Sequence, residues 1–146
     1  MSIEQMIKRE SAGNIYTCTK GQILPKEFGR LLIKIQGPSR LNCVGIREPG
    51  IWALLSMPNS KCTIKQHVRS FIEITRIECD MNVRGTGRCM EFIKRIAITC
   101  KIMNRCLVMG CVESKRMLQL MNRHNDVWHR LESDPTSYVY YPTIFL

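Results

Sequence analysis

Residues 84–89 read Arg-Gly-Thr-Gly-Arg-Cys, and their types and spacing suit ligand binding. They follow the strand-like stretch "FIEITRIECDM" and precede apolar residues at helical spacing, at positions 89, 93, 96, 97 and 100. The first turn of a helix has unpaired N–H groups and the positive end of the helix dipole. Glycine lets a ligand approach the backbone closely. The segment therefore predicts an anion site, with a solvated glycine turn as the alternative.

Two common phosphate-binding motifs do not fit this segment. A Walker A loop needs Gly-x4-Gly-Lys-Ser/Thr, which the sequence lacks. A dinucleotide fingerprint needs a third glycine near position 90, where the chain has Met90. If the segment binds phosphate, it does so by another pattern.

The eight cysteines lie mostly in apolar stretches, and no two of them have Cys-x-x-Cys spacing. No pair of histidines stands near them, so we expect no metal site. The N-terminus lacks the apolar core of a secretory signal, which favours a cytoplasmic protein with free thiols that act as small core hydrophobes. Cys89, at a predicted helix start, is a candidate for a lowered pKa, although a packed thiol is the commoner case.

The chain has 146 residues and a formal net charge of +10. This length predicts one domain over residues 1–146, and no apolar run is long enough to span a membrane. The basic balance is compatible with nucleic acid, an acidic ligand or a solvated surface. The charges are spread along the chain, so they do not specify a partner.

Apolar periodicity and turn residues predict the order β-α-β-β-β-α-β-α-β-β. We expect a helix over 25–36, a hairpin that turns at Pro49–Gly50, a polar loop over 61–70 and a long strand over 71–81. Ser114 is a plausible helix N-cap, and two strands close the chain. The strand–helix–strand step over 71–112 predicts one parallel βαβ unit in a mostly antiparallel sheet, hence an α+β (mixed α/β) fold.

The segment Arg84–Cys89 resembles motif A of the GNAT acyltransferase superfamily, Gln/Arg-x-x-Gly-x-Gly/Ala between the fourth strand and third helix. Cys89 replaces the last small residue of that motif. The hairpin "VGIREPGIWALLSMPN", the helix start "ESKRMLQLMNRH" and the closing "VWHRLES" and "SYVYYPTIF" are similar to elements of the same family. The resemblance covers roughly residues 40–146, and it implies a GNAT-like sheet flanked by helices.

The resemblance implies that the chain binds acetyl-CoA. The pyrophosphate would lie on the backbone N–H groups of residues 84–89, and the pantetheine arm would lie along the end of the preceding strand. Arg88, Lys115 or Arg116 could meet the 3′-phosphate, although a solvated helix face explains them equally well. The implied cofactor-binding residues are Cys79, Asp80, Met81, Arg84, Gly85, Thr86, Gly87, Arg88, Cys89 and Ser114.

The implied reaction is the attack of an amine on the thioester, and the acceptor is a small molecule or a protein. Candidate bases on the preceding strand are Glu73, Glu78 and Asp80, each of which is more often an ordinary surface or ion-paired acid. The family often has a tyrosine as proton donor in its fourth helix, and the alignment puts Met121 there. Tyr138, Tyr140 or Tyr141 on the last strand could substitute, although a tyrosine there more often packs in the sheet.

Two other functions remain open. The first is a catalytically weak or inactive GNAT-like module that binds a protein or nucleic acid, which the net charge and Met121 favour. The second is a small nucleic-acid-binding domain, although the interleaved aromatic residues of stacking modules are lacking. The sequence is compatible with either a monomer or a homodimer.

Overall fold

A computed structural model describes residues 2–18, 43–58, 61–64, 66–110, 112, 114–131 and 136–140. These ranges contain three helices and eight strands. In chain order they are α1 (Ile3–Glu10), β1 (Ile15–Thr17), β2 (Cys43–Glu48), β3 (Ile51–Ser56), β4 (Lys61–Ile64), β5 (His67–Cys79), α2 (Arg88–Ile102), β6 (Cys106–Met109), α3 (Lys115–Arg123), β7 (Trp128–Arg130) and β8 (Tyr138–Tyr140).

The strands form one mixed sheet in the order β1-β2-β3-β5-β6-β8-β7, and β4 pairs with β5 off this path. Strands β5 and β6 are parallel and are joined through α2, as the strand–helix–strand pattern predicted. Strands β1 and β2 form a second parallel pair, which the sequence analysis did not predict. The other pairs are antiparallel, so the mixed α+β prediction is confirmed.

The centre of the sheet opens where β5 and β6 part. Of β5, only Phe71–Ile74 pair with β6, whereas β5 continues to Cys79 with β3 alone beside it. The register of β3 against β5 also shifts here and leaves Thr75 as an extra, bulged residue. The Thr75 hydroxyl donates to the Leu54 carbonyl (3.2 Å), and a bulge of this kind bends a strand. The result is a gap beside the second half of β5.

Helices cover both faces of the sheet. On one face, Ile93 of α2 belongs to the large core cluster with Leu55 and Ile74. On the other face, Ile7 of α1 packs with Leu54. Because consecutive residues of a strand point to opposite faces, Leu54 and Leu55 place α1 and α2 on opposite sides.

The predicted hairpin at Pro49–Gly50, the helix after the glycine turn, the buried strand β6 and the two closing strands are all present. The predicted polar loop over 61–70 is wrong, because residues 61–64 form β4 and residues 67–70 form the start of β5. In β4, the buried residues Cys62 and Ile64 alternate with exposed residues, which is the period of two expected of a strand. The polar composition of the segment concealed this period. The predicted helix over 25–36 lies outside the described residues.

No helix in the described ranges is long and apolar enough to cross a membrane.

Candidate functional site

The turn between β5 and α2 is closed by its own backbone. The Asp80 carbonyl accepts the N–H groups of Val83 (3.0 Å) and Arg84 (3.3 Å), and the Val83 carbonyl accepts that of Thr86 (3.3 Å). The Val83 side chain is buried against Gly50, where an added Cβ would come within 2.5 Å of it. The β2–β3 turn therefore supports the glycine turn from below.

The outer surface of the glycine turn is open. Gly85 and Gly87 have φ values of 77° and 82°, and a Cβ added at either would meet nothing within 4 Å. In the described part of the chain, the N–H groups of Gly85, Gly87 and Cys89 have no hydrogen-bond acceptor. Gly87 is the N-cap of α2 and gives it no side-chain cap. Unpaired donors and the helix dipole together favour an anion at this surface.

A cavity of about 500 Å³ extends from this turn along the end of β5 to α3. Arg84, Arg116 and Arg123 line it, and Glu78 is the one carboxylate among its described lining residues. Met117 and Leu120 contribute apolar wall. This mixture of clustered guanidinium groups and apolar surface suits an elongated polyanionic ligand with an apolar part.

A second cavity of about 280 Å³ lies at the gap between β5 and β6. It shares Ile77, Glu78, Ser114 and Met117 with the first cavity. Its other walls come from the bulged part of β5, the end of β6 and Ile3 of α1. Glu78 therefore lines both cavities.

Arg88 is engaged behind the turn. Its Nη2 atom donates to the Pro49 carbonyl (2.5 Å) and lies 3.5 Å from the Glu48 carboxylate. Arg95 also pairs with Glu48, which is 3% exposed. These contacts hold the Arg88 guanidinium against the hairpin, and Arg88 is not among the described residues that line either cavity.

Of the two phosphate ligands predicted on α3, only one lines a cavity. Arg116 lines the larger cavity, whereas Lys115, beside it in the sequence, does not. Sequence reasoning missed Gln119 and Arg123, which lie on the cavity side of the same helix. The spacing 116, 119, 123 was a usable signal, since residues three and four apart share a helix face.

Of the remaining predicted cofactor residues, some line the cavity and others do not. Cys79 and Ser114 line it, and the Ser114 hydroxyl accepts the Met117 N–H (3.4 Å) as the N-cap of α3. Thr86 donates its hydroxyl to the Val83 carbonyl inside the turn. Met81 is 82% exposed and lies outside both cavity linings.

The three candidate bases are not brought together. Glu78 lines both cavities. The Glu73 carboxylate lies against Gly110, in the space that a Cβ there would occupy, just where β5 and β6 part. The side chain of Asp80 lines neither cavity, and its backbone carbonyl closes the turn.

Met121 and Tyr138 do not line either cavity. Met121 is fully buried in the large core cluster. Tyr138 is 2% exposed, and its hydroxyl accepts from Arg130 Nε (3.1 Å) and donates to Asn122 Oδ1 (3.4 Å). Both side chains therefore lie in the protein interior, with their surroundings already packed or hydrogen-bonded.

Two cysteines form a contact at one end of the larger cavity. Cys79 and Cys89 both line it, and their thiols are hydrogen-bonded to each other. The bond from Cys89 holds the pKa of Cys79 below its ordinary value, and the guanidinium charges of Arg84 and Arg88 act in the same direction. The same bond raises the pKa of Cys89, and burial raises it further. The sequence made Cys89 the candidate for a lowered pKa, whereas in the structure it is the pKa of Cys79 that is lowered.

The sequence matches no protein-family model and no curated protein. Several solved structures are similar in part, among them the following three. A KacTA–DNA complex aligns with a TM-score of 0.46 and 13% identity over 62% of this chain and 57% of that chain. A point mutant of the AtaT toxin bound to the C-terminus of the antitoxin AtaR and acetyl-CoA aligns with a TM-score of 0.45 and 9% identity. That alignment covers 62% of this chain and 59% of that chain. The same mutant bound to the antitoxin C-terminus aligns with a TM-score of 0.44 and 10% identity, over 64% of this chain and 59% of that chain.

This chain thus spans less than two thirds of the length of each of those structures. TM-scores below 0.5 and identities of 13% or less define no activity, ligand or partner for it.

Proposed function

We propose that this chain is a GNAT-like N-acyltransferase that uses acetyl-CoA to acetylate an amine. The observation that carries the proposal is the open glycine turn at the end of a basic cavity. The turn provides unpaired N–H groups and three arginines line the cavity, and a cofactor with a pyrophosphate and a 3′-phosphate would need both. The gap between β5 and β6 begins after Ile74, and the part of β5 beyond it continues to the cavity.

The chain's residues would act on such a cofactor as follows. The N–H groups of Gly85, Gly87 and Cys89 would hold the pyrophosphate. Arg116 and Arg123 would neutralise the remaining phosphate charge. The edge of β5 beyond Ile74 has no strand partner on the β6 side in the described ranges, so its amide groups are available to the pantetheine arm. Bound acetyl-CoA would supply an activated carbonyl and a thiolate leaving group.

Glu78 is the best-placed candidate to take a proton from the acceptor. It lines the cofactor cavity and the second cavity, from which an amine could approach through the gap. A carboxylate in that position can accept the proton directly or through one water molecule. Glu73 is the second candidate, since its carboxylate lies where the two strands part.

The proposal is tested by acetyl-CoA binding in a matched pair of glycine variants. Gly85→Leu puts a side chain onto the open turn at a residue that lines the larger cavity, whereas Gly13→Leu puts one at an equally open glycine with a φ of 80° that lines neither cavity. Both variants should lose about 1–2 kcal/mol of stability from the left-handed backbone. We expect Gly85→Leu alone to weaken acetyl-CoA binding, by about tenfold or more, in calorimetric titration.

Wild-type protein at 100 times the dissociation constant should gain about 2.7 kcal/mol of stability. Absence of any stabilisation by acetyl-CoA, or equal affinity in both glycine variants, would overturn the proposal.

A non-catalytic binding module is the second candidate function. The observation in its favour is the burial of Met121 and Tyr138, which leaves no tyrosine among the described residues that line the cavities. Water can protonate a thiolate, so this arrangement does not exclude turnover. Tight acetyl-CoA binding with no release of free thiol across a panel of amines and proteins would favour this candidate.

A further inference from the structure

Cys79 and Cys89 lie at the two ends of the glycine turn. Cys79 is the last residue of β5, and Cys89 is the second residue of α2. Both are half-buried, both line the larger cavity, and their thiols are in hydrogen-bonding contact. No disulfide joins the seven cysteines in the described ranges.

A second thiol pair provides an internal comparison. Cys62 of β4 and Cys106 of β6 are also hydrogen-bonded to each other. They are 8% and 5% exposed, and they line neither cavity. The two pairs therefore share their chemistry and differ in their access to solvent.

We propose that Cys79 and Cys89 form an oxidation site at which a hydroperoxide converts the dithiol to a disulfide across the glycine turn. The Cys79 thiolate attacks the peroxide oxygen, the O–O bond breaks, and a sulfenic acid forms with release of water from hydrogen peroxide. The Cys89 sulfur then attacks the Cys79 sulfur and displaces a second water molecule. Two thiols lose two electrons and two protons in total, and one hydrogen peroxide becomes two molecules of water.

The surroundings assign the two roles. Cys79 is the attacking sulfur, because its hydrogen bond from Cys89 and the nearby Arg84 and Arg88 charges favour the thiolate. The Asp80 carboxylate and burial oppose this effect but are outweighed. Cys89 keeps its proton and stays beside Cys79 as the resolving thiol.

The disulfide would alter the turn itself. A disulfide holds its sulfurs about 2.05 Å apart, much closer than two thiols in hydrogen-bonding contact. Closing that distance draws the first turn of α2 toward the end of β5, and the N–H of Cys89 moves with it. A ligand in the cavity would also cover both sulfurs, so it should slow their oxidation; this step alone rests on the proposed function.

The oxidation is tested on the full chain by titration with hydrogen peroxide and mass spectrometry of the resulting peptides. We expect a Cys79–Cys89 disulfide as the first product in wild-type protein. Cys89→Ser should stop at a sulfenic acid on Cys79 that dimedone traps, and Cys79→Ser should give no disulfide at Cys89. The control Cys62→Ser should oxidise as the wild type does, because its pair is buried.

First oxidation at Cys62–Cys106, at Cys100 or between Cys79 and another cysteine would overturn the inference. The wild-type measurement decides the matter without any variant, so a variant that fails to fold does not block the test.

The ligand effect is measured with desulfo-coenzyme A, which has no thiol to consume peroxide. At about ten times its dissociation constant it should slow disulfide formation about tenfold, since only the free protein reacts. A disulfide that forms without any binding of desulfo-coenzyme A leaves the oxidation site standing and counts against the proposed function. Binding without protection shows that the sulfurs lie away from the ligand, which overturns the placement of the pair in the binding cavity.

Discussion

At the scale of single residues, the two arginines of the glycine turn have different roles. Arg84 lines the cavity, and its Nε donates to the Cys79 carbonyl (3.2 Å). Arg88 points to Pro49 and shares the buried Glu48 carboxylate with Arg95. The first arginine is available to a ligand, and the second ties the helix start to the β2–β3 hairpin.

The Glu48 carboxylate is expected to be essential for stability. Glu48→Gln keeps the size of the side chain but leaves two guanidinium groups without their anion in a mostly buried setting. Removing one partner from a buried ion pair typically costs about 3–5 kcal/mol. Urea unfolding should show this loss, whereas Glu91→Gln, at an exposed position of α2, should stay within about 0.5 kcal/mol of wild type. A loss below about 1 kcal/mol for Glu48→Gln would show that the ion pairs of Glu48 with Arg88 and Arg95 contribute little to the stability of the protein.

At the scale of elements, the cavity results from the relation between β5, the glycine turn and α3. The bulge at Thr75 and the short length of β6 open the sheet, and α3 borders the opening. Helix α3 presents Arg116, Gln119 and Arg123 to the cavity because they recur at helical spacing. Basic residues on other faces of the helix have no such position.

This difference gives a test within a single turn of α3. Arg116→Ala should weaken acetyl-CoA binding by about 10- to 100-fold, the usual effect of losing a charged hydrogen bond of about 1.5–3 kcal/mol. Lys115→Ala removes the same charge from the neighbouring residue, which does not line the cavity, and should change affinity little. Titration at low and high salt measures both variants. Equal losses in the two would mean that only overall charge attracts the ligand.

At the scale of the whole molecule, the structure keeps many thiols inside. Burial raises the pKa of Cys18 and Cys43, and it raises that of Cys100, which is 1% exposed, to about 12. A thiol in the unfolded chain ionises near 9.0. Between these two values the native state keeps a proton that the unfolded state has lost.

The stability of the protein should therefore fall as the pH rises from about 9 to about 12. The contribution of Cys100 is fully present below its unfolded pKa and disappears as the pH passes its folded value. Cys100→Ala removes that group, so its unfolding free energy should fall less steeply, by up to about 1.4 kcal/mol per pH unit. Urea unfolding across this pH range measures both slopes. Parallel slopes would show that Cys100 does not titrate differently in the two states.

Much of the fold was predictable because its signals are local. Pro49–Gly50 marks the hairpin, Ser114 caps α3, and an apolar run indicates the buried strand β6. The strand β4 was missed because its polar residues face solvent, and its pairing with β5 is decided by burial of Cys62 and Ile64. Pairing between segments depends on contacts that a local pattern does not contain.

The sequence by itself determined the glycine turn between strand and helix, the parallel step around it and the absence of known nucleotide motifs. These follow from residue types at short spacing, since glycine conformation and helix periodicity are local properties. Only the tertiary structure decided which charges meet. It directed Arg88 to Glu48 and Arg116 to the cavity, buried Met121 and Tyr138, and put Cys79 against Cys89. Those outcomes depend on how elements pack across the sheet, where the burial of apolar surface chooses the side that each residue faces.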